Sequence, residues 1–167
     1  MNNRFFTYII LFLACILLQV LVFNHIALFH VAIPVVFIYF IIRLPIDMKL
    51  QFVFILAFLI GLIVDIFSDT PGVNALACTL IAGIRKPLYY AYVPKDDVTS
   101  RLVPCVAALG ITEYIKYLLS FVVIYCFLVF SIEYFSFADV KGIVILSASS
   151  AALTFVILLA ADCLIPD

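Results

Sequence analysis

Apolar positions along this chain neither alternate nor form one-sided stripes; they continue through whole segments between short polar breaks. Six such runs fall at about residues 5–23, 26–42, 48–67, 72–88, 102–130 and 137–164. About 20 residues at a rise of 1.5 Å match a hydrocarbon layer of roughly 30 Å. In lipid each backbone N–H and C=O must be paired internally, and no run shows the ten-residue alternation of a transmembrane β-barrel. The pattern therefore predicts an all-α integral membrane protein, with about six transmembrane helices in one compact bundle and a single polytopic domain over residues 1–167. Pro34 inside the second and shortest run predicts a helix start or a kink there. The fifth and sixth runs exceed one bilayer width and predict tilt or extension. The first run has a lipoprotein-like Leu13-Ala14-Cys15 but continues well past Cys15, which predicts an uncleaved first helix. No soluble domain is expected on either side of the membrane part.

Composition agrees with this class. Hydrophobic residues make up 68% of the chain and charged residues 11%, with a mean hydropathy of +1.36. A soluble domain is nearer half apolar and a quarter charged. The net charge of −1 carries no signature of nucleic acid, and none is expected as a partner. The placement of charge says more. If Arg4 is cytoplasmic, six crossings put Arg43, Lys49 and a loop with Arg85, Lys86, Lys95 and Arg101 on the same side. The opposite loops hold His25, Asp69, Glu133 and Asp139, with Lys141 their only flanking base. Both termini are thus predicted in the cytoplasm, and Tyr89, Tyr90, Tyr92 and Tyr134 fit interfacial belts against membrane lipid. Five cysteines (Cys15, Cys78, Cys105, Cys126 and Cys163) stand singly in apolar runs and read as small buried hydrophobes. His25 and His30 lack a carboxylate or cysteine cluster and make a poor metal site. No phosphate-binding loop, nucleophile elbow or HExxH occurs, so neither enzymatic activity nor a cofactor is expected.

Three polar features stand out from the apolar background. Asp65 lies near the outer end of the third run, before the break Asp69-Thr70-Pro71-Gly72. Thr70 and Pro71 read as the N-cap and first residue of the next helix, whose unpaired amides around Gly72, Val73 and Asn74 would face the Asp65 carboxylate. Two uses fit: a clamp that fixes this helical hairpin, and a partner- or ion-binding site. Glu113 and Lys116 form an i,i+3 pair that counting from Leu102 places near mid-membrane, as a functional site or an interhelical lock. Small residues make close-packing rows: Ala75, Thr79 and Gly83 on the fourth helix; Ser147, Ser150, Ala151 and Thr154 on the sixth.

Pro34, an aromatic-rich helix ending at Leu44-Pro45, Gly61-xxx-Asp65, and Gly72-Val73-Asn74-Ala75-Leu76-Ala77 together resemble the rod shape-determining protein MreD family. The resemblance covers roughly the first 90 residues; the remainder agrees in length and hydropathy. Asp69 and Pro71 depart from the Ser- and Gly-type turn of many members, and Glu113/Lys116 map to no family motif. The resemblance implies a fold similar to the substrate-binding subunits of energy-coupling-factor transporters. It also implies a non-enzymatic scaffold in the bacterial inner membrane. Its partners would be an MreC-like bitopic membrane protein and, through it, the MreB filament and a cell-wall synthesis complex. That complex holds a RodA-type glycosyltransferase and a class B penicillin-binding transpeptidase. A small-solute binding or transport subunit is the alternative, with Asp65, Asn74, His25 and Glu133 as outer polar candidates. An ion-coupled transporter centred on Glu113 and Lys116 is a third.

Overall fold

A computed structural model of the chain describes residues 2–22, 34–93, 103–133 and 140–164. Every regular element among them is a helix: α1 (Asn2–Leu21), α2 (Ile38–Arg43), α3 (Leu50–Ser68), α4 (Val73–Tyr92), α5 (Val106–Leu109), α6 (Ile111–Glu133) and α7 (Val140–Leu164). Leu50–Ser68, Ile111–Glu133 and Val144–Asp162 are each long and apolar enough to cross a membrane, while Phe6–Leu21 is a shorter apolar helix.

α3 and α4 form an antiparallel hairpin, α4 packs on α6, and α6 on α7. α1 lies against α2 and α3, and α2 also touches α4. The small-residue rows serve this packing. Ala75 is buried against Gly61, Gly83 faces the Phe54 ring, and Ser150, Ala151 and Thr154 are all buried on α7. Large apolar side chains instead point outward, among them Phe6, Ile10, Leu21, Ile55, Ile66 and Ile145. Water would not tolerate so much exposed apolar surface around the long helices; lipid does. Conversely, Gln19, Arg43, Asp65, Arg85 and Asp162 are all buried.

Three expected segments take a different form. Among the described residues of the second run, only Ile38–Arg43 are helical, about 9 Å of rise. Residues 34–36 ahead of them are non-helical, and residues 23–33, with His25 and His30, lie outside the described residues. Non-helical backbone at membrane depth is tolerated where protein groups satisfy it, and three elements do so here. Gln19 of α1 donates from Nε2 to the Pro34 carbonyl (3.1 Å) and accepts the Val36 N–H (2.8 Å). Thr154 of α7 accepts the Val35 N–H at 3.0 Å. Arg85 of α4 donates to the carbonyls of Ile41 (3.0 Å), Leu44 (2.7 Å) and Pro45 (2.6 Å). Apolarity marks this stretch as buried but does not distinguish burial in lipid from burial in protein.

The fifth run is broken as well. α5 ends at Gly110, whose φ of +84° is a conformation that favours glycine, and α6 starts only at Ile111. The fourth helix runs past the expected end at residue 88, through Pro87 to Tyr92, so Arg85 and Lys86 belong to it rather than to a loop. Gln19→Leu is expected to leave the Val36 N–H and the Pro34 carbonyl unpaired in a dry interior. The cost is about 1–3 kcal/mol per group, read as a lower unfolding midpoint of the purified protein in mild detergent.

Candidate functional site

The α3–α4 hairpin closes around Asp65, which is 5% exposed. α3 ends with Asp69 in the left-handed region (φ 53°), a conformation aspartate tolerates better than bulkier residues. The Asp69 and Thr70 N–H groups both return to the Asp65 carbonyl. α4 then opens at Val73, with Gly72 as its N-cap at φ +80°. This places the helix start two residues later than Thr70-Pro71 predicts. Thr70 caps no helix and instead holds the carboxylate, its hydroxyl donating to Asp65 Oδ1 at 2.7 Å.

The side-chain carboxylate is also engaged by α4. Oδ1 accepts the Asn74 backbone N–H and its side-chain Nδ2, both at 3.0 Å, and Oδ2 accepts the Ala75 N–H at 2.8 Å. Two first-turn amides of α4, orphans of the helix end, thus point at a negative charge, the arrangement the helix dipole favours. One turn before Asp65, Gly61 lets the two backbones meet. A Cβ there would fall 2.6 Å from Ala75 Cα and 2.6 Å from the Asn74 carbonyl oxygen.

The network reaches α6 through Tyr125, whose hydroxyl donates to Asn74 Oδ1 at 2.9 Å and sits 3.9 Å from the Cys78 thiol. Gly61, Asp65, Asn74 and Ala75 are therefore brought together, with Gly72 at the helix start. Thr79 bonds back to the Ala75 carbonyl at 2.8 Å, and Gly83 packs on Phe54 further along the hairpin.

Glu113 and Lys116 do pair, at 3.0 Å, but within the first two turns of α6. Their side chains are 37% and 52% exposed, respectively. The helix that carries them begins at Ile111, after Gly110, rather than near Leu102, so the pair lies near its start instead of near its middle. An exposed pair of this kind contributes little to stability.

A second polar cluster joins α2, α5 and α7, and its centre, Asp162, is not among the residues that the sequence singles out. Arg43 Nη2 lies 2.8 Å from Asp162 Oδ1, which also accepts the Tyr39 hydroxyl at 2.9 Å. Arg43 Nε donates to that same hydroxyl at 2.8 Å, and the Val106 N–H donates to Asp162 Oδ2 at 3.2 Å. No local spacing announces this pairing. Arg85, by contrast, lies on the buried stripe Ala75, Cys78, Ala82, Arg85, Tyr89 of α4, a helical period visible in the sequence. Cys15, Cys78, Cys105 and Cys126 are buried and not disulfide-bonded, as small core residues are. No group of three or more histidine, cysteine or acidic residues suited to a metal ion occurs among the described residues.

The class these features define is an α-helical membrane protein with two polar clusters, around Asp65 and Asp162, buried between its helices. Compared with protein-family models, with curated proteins and with solved structures, the chain finds no match.

Proposed function

We propose that the protein is a non-enzymatic membrane scaffold of the MreD type in the bacterial inner membrane. Its partners are an MreC-like bitopic protein and the peptidoglycan synthesis complex, and its output is cell shape. The observation that carries the reading is the Asp65 clamp. The residues that resemble the family motif close on one another, and all four donors aimed at the carboxylate come from the turn and first turn of α4. Such a motif shapes a helix hairpin. What the molecule then offers a partner is apolar helix surface, suited to another membrane protein.

The direction of the helices supports about six crossings. Phe12 meets Phe40, and Gln19 meets Pro34 and Val36, so residues 34–43 run back along α1. Asn74 meets Tyr125 and Tyr89 meets Tyr117, so α4 and α6 are antiparallel. Arg43, Lys49, Arg85, Lys86 and Lys116 gather towards one face by this tracing. Asp65, Asp69 and Glu133 gather towards the other. The positive-inside rule makes the first face cytoplasmic and puts both termini there.

The test is a mild-detergent pull-down of the tagged protein from its native membranes, with mass spectrometry of proteins and bound small molecules. Recovery of a single-span coiled-coil protein with cell-wall synthases supports the scaffold. Asp65→Asn, which sets an amide against donors, is expected to reduce that recovery at least several-fold. Recovery of an ATPase module or a stoichiometric metabolite without cell-wall partners overturns the scaffold in favour of a transport subunit.

A further inference from the structure

The chain entering α3 lies against α4 through one carbonyl. The Pro45 oxygen accepts Arg85 Nη2 at 2.6 Å and the Met48 N–H at 3.3 Å. Lys49, the N-cap of α3, follows Met48 directly, and Lys86 follows Arg85. The hairpin register brings these two lysines to one level. Gly61 meets Ala75 and Phe54 meets Gly83, so the start of α3 falls opposite residues 86–87 of α4. Lys86 also continues the α3-facing row of α4, three residues past Gly83. Lys49 is exposed and Lys86 half-buried. Charge at this corner is not balanced. Arg43 is matched by Asp162 and Lys116 by Glu113, whereas among the described residues neither Lys49 nor Lys86 forms an ion pair. Arg85 is bonded to three backbone carbonyls, which supply no countercharge. The exposed Asp47 offsets only one of these three cations. Directly beside the lysines the surface turns apolar, with Leu50, Phe52, Ile84 and Tyr90 all exposed.

We infer that Lys49 and Lys86 form a binding site for the phosphodiester headgroup of an anionic phospholipid, whose acyl chains lie along the exposed flank of α3 and α4. A phosphodiester carries one negative charge, and its oxygens accept charge-assisted bonds from two ammonium groups at once. The apolar surface beside the lysines selects a lipid over a soluble anion, since basic side chains at a helix end sit at headgroup depth. The net positive charge selects an anionic lipid over a zwitterionic one. An ethanolamine or choline ammonium would enter the field of three cations with Asp47 alone to receive it, and the buried Arg85 charge strengthens that field. The inference needs only the membrane class and is independent of the scaffold reading.

The test is native mass spectrometry of the full-length protein in neutral detergent, equilibrated with equimolar phosphatidylglycerol, phosphatidylethanolamine and phosphatidylcholine. Phosphatidylglycerol is expected to be retained at least about tenfold over the other two, since each lysine beside an anionic lipid contributes about fivefold in affinity. Lys49→Gln and Lys86→Gln should each weaken its binding by about that fivefold factor. Lys141→Gln is the control. It removes the same charge from an exposed position at the start of α7, whose other end holds Asp162 beside Arg43, and it should leave the preference unchanged. Inorganic phosphate in large excess is expected to leave the lipid in place. Equal retention of the three lipids overturns the site. So do Lys49 and Lys86 variants that bind as the wild type does, or a loss in Lys141→Gln as large as in theirs. Displacement by inorganic phosphate assigns the lysines to a soluble anion and overturns the lipid. The lipid competition stands on the wild-type protein even if a variant fails to fold.

Discussion

Asp162→Ala is expected to destabilise the protein by about 3–5 kcal/mol, the range for removing one partner of a buried ion pair. The substitution strands three donors at once: the Arg43 guanidinium, the Tyr39 hydroxyl and the Val106 N–H. Both charged side chains are almost wholly removed from solvent, at 7% for Arg43 and 1% for Asp162, so water does not replace the lost contact. Arg43→Met should cost a similar amount, because it leaves a carboxylate without its cation. The double variant Arg43→Met/Asp162→Leu is expected to recover much of the loss, since apolar groups of similar volume often replace a buried pair at little cost. Recovery should be incomplete, because the Val106 N–H still lacks an acceptor. Unfolding midpoints of the two single variants and the double variant, in one detergent, close the cycle. Single variants as stable as the wild type would place this pair with exposed ones such as Glu113–Lys116.

Gly61→Ala is the second large effect. The added Cβ meets backbone, at 2.6 Å from Ala75 Cα and 2.7 Å from its nitrogen, and backbone has no rotamer with which to yield. α3 and α4 must therefore separate, and Asp65, one turn further along the same face, is drawn away from the Asn74 and Ala75 amides. Overpacking costs about 1–3 kcal/mol, and stretching the carboxylate bonds adds to it. Gly83→Ala supplies the contrast within the same hairpin. Its Cβ would stand 3.5 Å from the Phe54 ring, an ordinary contact, so stability should stay level or rise by about 0.5–1 kcal/mol through helix propensity. Thermal unfolding of the two variants side by side checks the difference. Equal behaviour would mean that the hairpin is not closed at Gly61.

Local features of this molecule are legible in its sequence, and remote ones are not. Asp65 and its acceptor role can be anticipated because its donors lie 5 to 10 residues away, across a turn marked by Pro71 and Gly72. The all-helical class follows from run length alone. The broken second run does not, because Pro34 to Leu44 is as apolar as a span, and its satisfaction comes from Gln19, Arg85 and Thr154 on three other helices. Charge places Arg85 in a loop, whereas its position on the Ala75–Tyr89 stripe places it in the helix, and periodicity is the signal that holds. Asp162 cannot be paired with Arg43 from sequence, since nothing local couples residues so far apart along the chain. The depth of Glu113 depends wholly on where its helix begins, and Gly110 sets that point through a backbone angle rather than through hydropathy.

The manner in which residues 34–43 are held has a consequence for biosynthesis. Val35 waits for Thr154, 119 residues later, and Tyr39 for Asp162, 123 residues later. At roughly 5–20 residues per second of synthesis, that interval lasts about 6–25 s. Throughout it, the Val35 N–H and the Tyr39 hydroxyl lack their final acceptors. The nascent chain therefore resides for seconds in a form whose early segment is unfinished, and α7 completes it. A ribosome-bound intermediate halted before residue 154 would carry this unfinished segment, and an insertase or other chaperone that shields polar backbone within the bilayer would find its substrate there.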